Sequence, residues 1–150
     1  MDKRSADNIA KLHPKLRAKA SELWQAWNDA GEELTIVTSL RTPLEQNDLY
    51  AQGRTKAGKI VTQAKAWDSM HNYGLAIDCY NAADLRKGKL TAPSTKAGVI
   101  AEKLGWVWGG RWKKPYDPPH FQFTGKYKLI DLKIMRKDLD SKGYLENLDL

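Results

Sequence analysis

Cysteine is nearly absent from this chain: Cys79 is the only one in 150 residues. That excludes an intrachain disulfide and any structural zinc site built from several thiolates. Cys79 alternates with Leu75 and Ile77, which marks it as a small buried apolar residue, and no neighbour in the sequence would lower its pKa for nucleophilic work. Long apolar runs are missing too; nothing approaches the roughly 18 residues that a membrane-spanning helix needs. The opening stretch MDKRSADNIAKLHPKLRAKA lacks the apolar centre of a secretory signal. The expectation is a chain made as a cytosolic product that, if it works outside the membrane, depends on another agent to let it out. Internal repeats and low-complexity linkers are absent as well, and 150 residues suffice for one domain with a core of its own. A single domain over 1–150, monomeric, is therefore expected.

What is present is charge. Lysine and arginine outnumber aspartate and glutamate by 25 to 18, for a net +7 and a pI near 9.4. Such a balance suits polyanionic partners, nucleic acid or an anionic envelope surface. The basic residues are scattered with no run of five or six, which fits a solvated basic surface better than a dedicated patch. Hydrophobic residues at 41% place the chain in the soluble globular class.

The hydrophobic pattern alternates between helix and strand. Ile9 and Leu12 lead at helical spacing into Leu16, Ala20, Leu23, Trp24 and Trp27, with Pro14 dividing a short first helix from a second. LTIVTSL (34–40) is rich in β-branched residues and reads as a strand. TPLEQNDLYAQG follows as a helix with Thr42 as N-cap, Pro43 at the first position and Gly53 as the stop. Residues 54–68 have the composition of an exposed loop. GLAIDCY (74–80) alternates as a strand, residues 94–105 form a helix stopped by Gly105, and WVW and HFQF are two more short strands. Residues 127–142 predict a C-terminal helix. The fold class is α+β, a small, mostly antiparallel sheet flanked by helices.

Asp78 is the odd residue of its strand, because a carboxylate in an apolar run must be paired, hydrogen-bonded or on a metal. His71 lies seven residues earlier, where the chain turns at Gly74. His120 opens HFQF and shares a strand face with Gln122. If the two strands are neighbours, His71, Asp78 and His120 converge, and two imidazoles with one carboxylate make a three-ligand set for a catalytic Zn2+ ion on the sheet, with the fourth position left for water. The competing reading is a satisfied histidine at a helix end or in a core, which is how His13 beside Pro14 is read. Asp117, held on a stiff segment by Pro118 and Pro119, is a candidate non-ligand base. Arg41, at the end of the first strand, is a candidate for holding an oxyanion; its alternative is an exposed arginine at a helix start.

SMHNYGLAID (69–78) fits, at every defined position, the Ser-x-His-x-x-Gly-x-Ala-x-Asp motif, and resembles the zinc D-Ala-D-Ala carboxypeptidase and phage L-alanyl-D-glutamate peptidase family. DPPH (117–120) resembles that family's second motif, an acidic residue just before a zinc histidine. SLRTPLEQNDLYAQGRT is similar to its segment carrying an arginine and a following glutamine, and GWVWGGRW to the strand before the last ligand. The likeness runs from about residue 8 to 124, in order, and leaves 126–150 outside as a helical C-terminal tail. Arg111 departs from it, since related sequences often carry an acidic residue there. The resemblance implies His71, Asp78 and His120 as zinc ligands, Asp117 as general base, Arg41 as oxyanion holder supported by Gln46, and Ser69 positioning the site or substrate. It implies hydrolysis of peptidoglycan stem peptides at the L-Ala–D-Glu bond, as in a phage endolysin acting on the wall from the periplasmic side, with no nucleic-acid partner. The alternative within the class is a D-Ala-D-Ala carboxypeptidase or dipeptidase. From another class, a non-catalytic nucleic-acid-binding or wall-binding domain remains. Trp67 and Trp112 flank the motifs and are candidates for lining a cleft.

Overall fold

The computed structural model describes residues 1–150. Helix α1 (Lys3–Lys11) starts at an Asp2 cap whose carboxylate accepts from Ser5 N–H, and a 3-10 turn at Pro14–Leu16 separates it from α2 (Arg17–Asp29). Then come β1 (Leu34–Thr38), α3 (Pro43–Ala51), β2 (Ala76–Asn81), α4 (Ala82–Arg86), α5 (Thr95–Lys103), β3 (Val107–Trp108), β4 (His120–Gln122) and α6 (Leu129–Met135). The four strands form one sheet in the order β1-β2-β4-β3, and every pairing is antiparallel. The α+β expectation and its small antiparallel sheet hold. No helix is long and apolar enough to cross a membrane.

The core lies between the sheet and helices α1, α2 and α5. Leu75, Ile77 and Cys79 are fully buried, as are Leu23, Trp27 and Phe121. Burying one such Leu, Ile or Phe side chain stabilises by roughly 1.5–3 kcal/mol. Trp27 packs edge-on to Phe121 and donates its indole N–H to the Ala97 carbonyl at 2.9 Å, which ties α2 to α5 across the sheet. The free edge of β1 is covered by α1. Ser5 Oγ accepts from Ile36 N–H (2.9 Å) and Asn8 Nδ2 donates to the Ile36 carbonyl (3.1 Å); such a cover keeps a strand edge from pairing with another chain.

The tail differs from the expected helix over 127–142. Helix stops at Met135, one 3-10 turn follows to Asp138, and residues 139–145 fold back as an isolated antiparallel bridge between Leu139 and Leu145. Asp140 ends the helical pattern, because its carboxylate accepts from Lys142 and Tyr144 N–H and stabilises a tight turn. The tail is therefore helical only in part. Leu132, Leu145 and Leu148 enter the main core, so the segment outside the family resemblance is packed against the rest of the chain. His13 is buried beneath it, with Nε2–H donating to the Leu145 carbonyl at 2.7 Å.

Candidate metal centre and cleft

Strand register assembles the site. Asp78 on β2 stands directly opposite His120 on β4, so the two side chains share one face at the closest cross-strand spacing. His71 arrives from the other side on a 3-10 turn, Met70–Tyr73, whose first N–H groups are capped by Ser69: its hydroxyl accepts from His71 N–H at 3.3 Å. The turn closes at Gly74, which is left-handed at φ 68°; a Cβ there would come within 2.7 Å of His13 N, whose N–H bonds the Gly74 carbonyl. Only glycine accommodates both the positive φ and that close approach.

The three side chains converge on a small volume. His71 Nε2 lies 3.3 Å and His120 Nδ1 3.4 Å from the same Asp78 oxygen, Oδ1, and the potential ligand atoms all fall within 4.8 Å of one another. Each imidazole is fixed by its other nitrogen. His71 Nδ1–H donates to the Ser39 carbonyl at 2.7 Å, and His120 Nε2–H donates to Gln122 Oε1 at 2.9 Å. Both lone pairs that remain face inward, which is the arrangement a metal-binding histidine requires.

Electrostatics follow from this packing. Burial pushes Asp78 toward the protonated form, but His71 and His120 outweigh it and hold the carboxylate well below the usual range. Burial lowers His120, yet the hydrogen bond and attraction of Asp78 override it, and its pKa ends above the ordinary 6.5. Asp117 is pushed up by burial, partly opposed by His120. Its Oδ2 lies 3.9 Å from His120 Nδ1, beside the three-residue cluster.

The sequence between Trp108 and His120 explains how Asp117 is held. Asp117 N–H donates to the Gly109 carbonyl (3.1 Å), His120 N–H to the Asp117 carbonyl (3.1 Å), and the Trp108 indole to the Pro118 carbonyl (2.8 Å). A Cβ at Gly109 would meet the Asp117 carbonyl oxygen at 2.2 Å, so the segment carrying Asp117 can approach only a glycine.

Arg41 is drawn into the site. Its Nη2 lies 3.8 Å from Asp78 Oδ2, its Nη1 donates to Gln46 Oε1 at 3.0 Å, and its side chain is 19% exposed. Gln46 is fully buried and donates in turn to the Ala64 carbonyl at 2.8 Å. The main chain of Arg41 is locked as well: its N–H bonds the His71 carbonyl and its carbonyl accepts from Asn72 Nδ2. An exposed arginine at a helix start would show none of these contacts.

Together these residues line a cleft of about 650 Å³. Six of the seven sequence-predicted side chains line it, and the seventh, Gln46, stands behind Arg41. Trp112 lines it too, with its ring 5.1 Å from that of His120. Trp67 does not: it adopts φ 69° and packs on Tyr73 and under Arg136. Arg111 points elsewhere, paired through both nitrogens with Glu102 at 3.0 Å. Three contributors escaped the reading of the sequence as site residues: Gln122, Asn72 and the Ser39 carbonyl. The i, i+2 spacing of His120 and Gln122 on one strand face was the available signal for the first; a backbone carbonyl leaves none.

Comparison with known proteins identifies the family. Residues 62–123 fit the peptidase M15 profile described as D-alanyl-D-alanine carboxypeptidase. The chain is 38% identical over 123 residues to the peptidoglycan L-alanyl-D-glutamate endopeptidase CwlK of Bacillus subtilis (strain 168), covering 74% of this chain and 72% of that protein. The chain belongs to the M15 peptidase family. A second relative, the L-alanyl-D-glutamate peptidase of Listeria phage A118, is 30% identical over 124 residues; the match takes in 82% of this chain and only 42% of the phage protein's length. Among solved structures, the fold is similar to that of the Serratia marcescens L-Ala D-Glu endopeptidase ChiX, with a TM-score of 0.59 at 23% identity, over 83% of this chain and 89% of that one.

Proposed function

We propose that this M15 peptidase is a zinc-dependent peptidoglycan endopeptidase that hydrolyses the L-Ala–D-Glu bond of stem peptides, as a phage endolysin does. The observation that carries the metal assignment is the inward convergence of His71 Nε2, His120 Nδ1 and the Asp78 carboxylate, each imidazole fixed from behind by an acceptor. Two nitrogens and one carboxylate oxygen are a donor set that suits zinc. Zinc bound there supplies an acidified water and a Lewis acid for the scissile carbonyl.

The remaining chemistry belongs to the chain. Asp117, raised by burial and lying beside the cluster, takes the proton of the attacking water. It then delivers that proton to the amine of D-Glu as the C–N bond breaks, so one carboxylate serves as base and then acid. Arg41 places a fixed positive charge where the carbonyl oxygen becomes negative. Gln46 holds that guanidinium in position from the buried side. Ser69 fixes the turn that presents His71. The identity to CwlK supports an endopeptidase over a carboxypeptidase that releases terminal D-Ala.

The basic surface, net +7, suits an anionic wall as its site of action. The test is metal dependence coupled to product identity. Protein stripped by a chelator should lose hydrolysis of an L-Ala–D-Glu peptide and regain it with one equivalent of zinc. Activity that survives stripping would remove the metal from the reaction.

A further inference from the structure

The segment 59–64 runs beside the metal cluster, and its main-chain groups fall into two classes. Three carbonyls are held by side chains of α3 and the turn after it: Lys59 by Gln52 Nε2 (3.1 Å), Thr62 by Arg54 Nη1 (3.1 Å) and Ala64 by Gln46 Nε2 (2.8 Å). Arg54 also grips the Gln63 side chain through Nη2 at 2.9 Å and lies over the Tyr50 ring. The main-chain N–H and C=O groups of Val61 and Gln63, by contrast, have no partner within the chain. These two residues line the same cleft as the cluster. Val61 is 57% exposed, an apolar side chain presented at the cleft mouth.

The segment is not a strand: it bends at Gln63 and the Ala64 N–H turns back onto Thr62 Oγ1 at 3.0 Å, so the unpartnered groups of Val61 and Gln63 offer two separate main-chain contacts to a peptide laid across them. Gln46 links this segment to the chemistry, because one buried amide accepts from Arg41 and donates to the Ala64 carbonyl. Gln46 therefore ties the guanidinium to the Ala64 end of the segment, while Arg54 holds its middle.

Resting on the proposed endopeptidase reading, we infer that Val61–Ala64 is the substrate-peptide rail: the stem peptide binds extended along it by main-chain hydrogen bonds to Val61 and Gln63, which sets its scissile carbonyl in register with Arg41. Arg54 is then a positioning residue that touches neither metal nor substrate and acts by holding the rail.

The experiment uses zinc-loaded Asp117→Asn protein, so that a synthetic L-Ala–D-Glu stem peptide stays whole, and follows amide hydrogen exchange residue by residue. The Val61 and Gln63 amides should slow on the order of tenfold when the peptide saturates the protein, and a peptide N-methylated at its backbone nitrogens should bind more weakly without that protection. Glycan strands lacking peptide should leave both amides unchanged. In wild-type protein, Arg54→Ala should raise KM on the order of fivefold, the loss of about one net hydrogen bond, with kcat and zinc content little changed. A peptide that wild-type protein cleaves and the variant binds, while the two amides exchange as fast as in the free protein, overturns the rail and leaves the endopeptidase reading intact. Protection by glycan alone also overturns it. A peptide neither cleaved nor bound overturns both.

Discussion

One wall of the cleft is sheet, the other is loop, and they are held by different forces. The sheet wall carries Asp78 and His120 on adjacent strands, backed by fully buried Leu75, Ile77, Cys79 and Phe121. The opposite wall carries Arg41, Gln46 and residues 61–64, and its geometry depends on side chains of α3 and the turn after it clasping main-chain carbonyls. Backbone ladders over a core resist displacement cooperatively, whereas a loop tied by a few side-chain bonds can open locally at low cost. The division suits a hydrolase: the groups that hold a metal need fixed distances, while the wall that admits a polymer must accept and release it.

The largest effect expected from breaking the sheet wall is loss of the metal. His120→Ala or Asp78→Ala should purify without zinc and fall to background turnover, as read by elemental analysis beside an activity assay. Asp117→Asn comes next. It should keep near-normal zinc and lose roughly a hundredfold to ten-thousandfold in turnover, the usual range for a missing general base. Zinc loss with normal activity per bound zinc would make Asp117 a ligand instead.

On the loop wall, Arg41→Ala should cost on the order of a hundredfold, about 3 kcal/mol of transition-state stabilisation. The loss should appear in kcat more than KM, with zinc retained, and Arg41→Lys should restore only part of it because an ammonium lacks the planar fork. An Arg41→Ala protein with normal turnover would leave the oxyanion to the metal. The smallest effect concerns what stands behind a ligand. Gln122→Ala removes the acceptor that fixes His120, and zinc affinity should weaken about tenfold. In the wild-type protein zinc must displace a proton from His120, whose pKa, despite burial, is raised above the ordinary imidazole value by the hydrogen bond and charge of Asp78. Affinity should therefore drop as pH falls through that raised pKa, by about tenfold per unit for each proton displaced; competition with a fluorescent chelator across pH measures both this slope and the Gln122→Ala effect. Affinity independent of pH below neutrality would exclude His120 as a ligand.

The same contrast marks what could be read from sequence. The sheet wall was legible because strands alternate faces: Asp78 stood out in GLAIDCY, and HFQF put His120 opposite it once the strands were paired. The Thr42–Pro43 helix start was legible too, since capping is local, and its capping box with Glu45 is present. The loop wall was not. Its order comes from contacts such as Gln46 to Ala64 and Arg54 to Thr62, between side chains and carbonyls whose identity leaves no sequence trace. Periodicity alone reads Arg41 as a surface residue at a helix start, and only the family likeness implied a role for it in the site. The tail failed for a related reason. Helical spacing continued past Met135, but a turn around Asp140 and burial of Leu145 and Leu148 prevailed, because tertiary packing overrides local preference.

The central claim is that the cluster on the sheet is a zinc centre which cuts between L-Ala and D-Glu. The most direct measurement is mass spectrometry of muropeptides after purified peptidoglycan is digested by the zinc-loaded protein, with Asp117→Asn as the control. The account predicts stem peptides that begin at D-Glu, glycan fragments that keep L-Ala, and neither product from the control. Free D-Ala with an otherwise intact stem, or equal digestion by the Asp117→Asn protein, would contradict it.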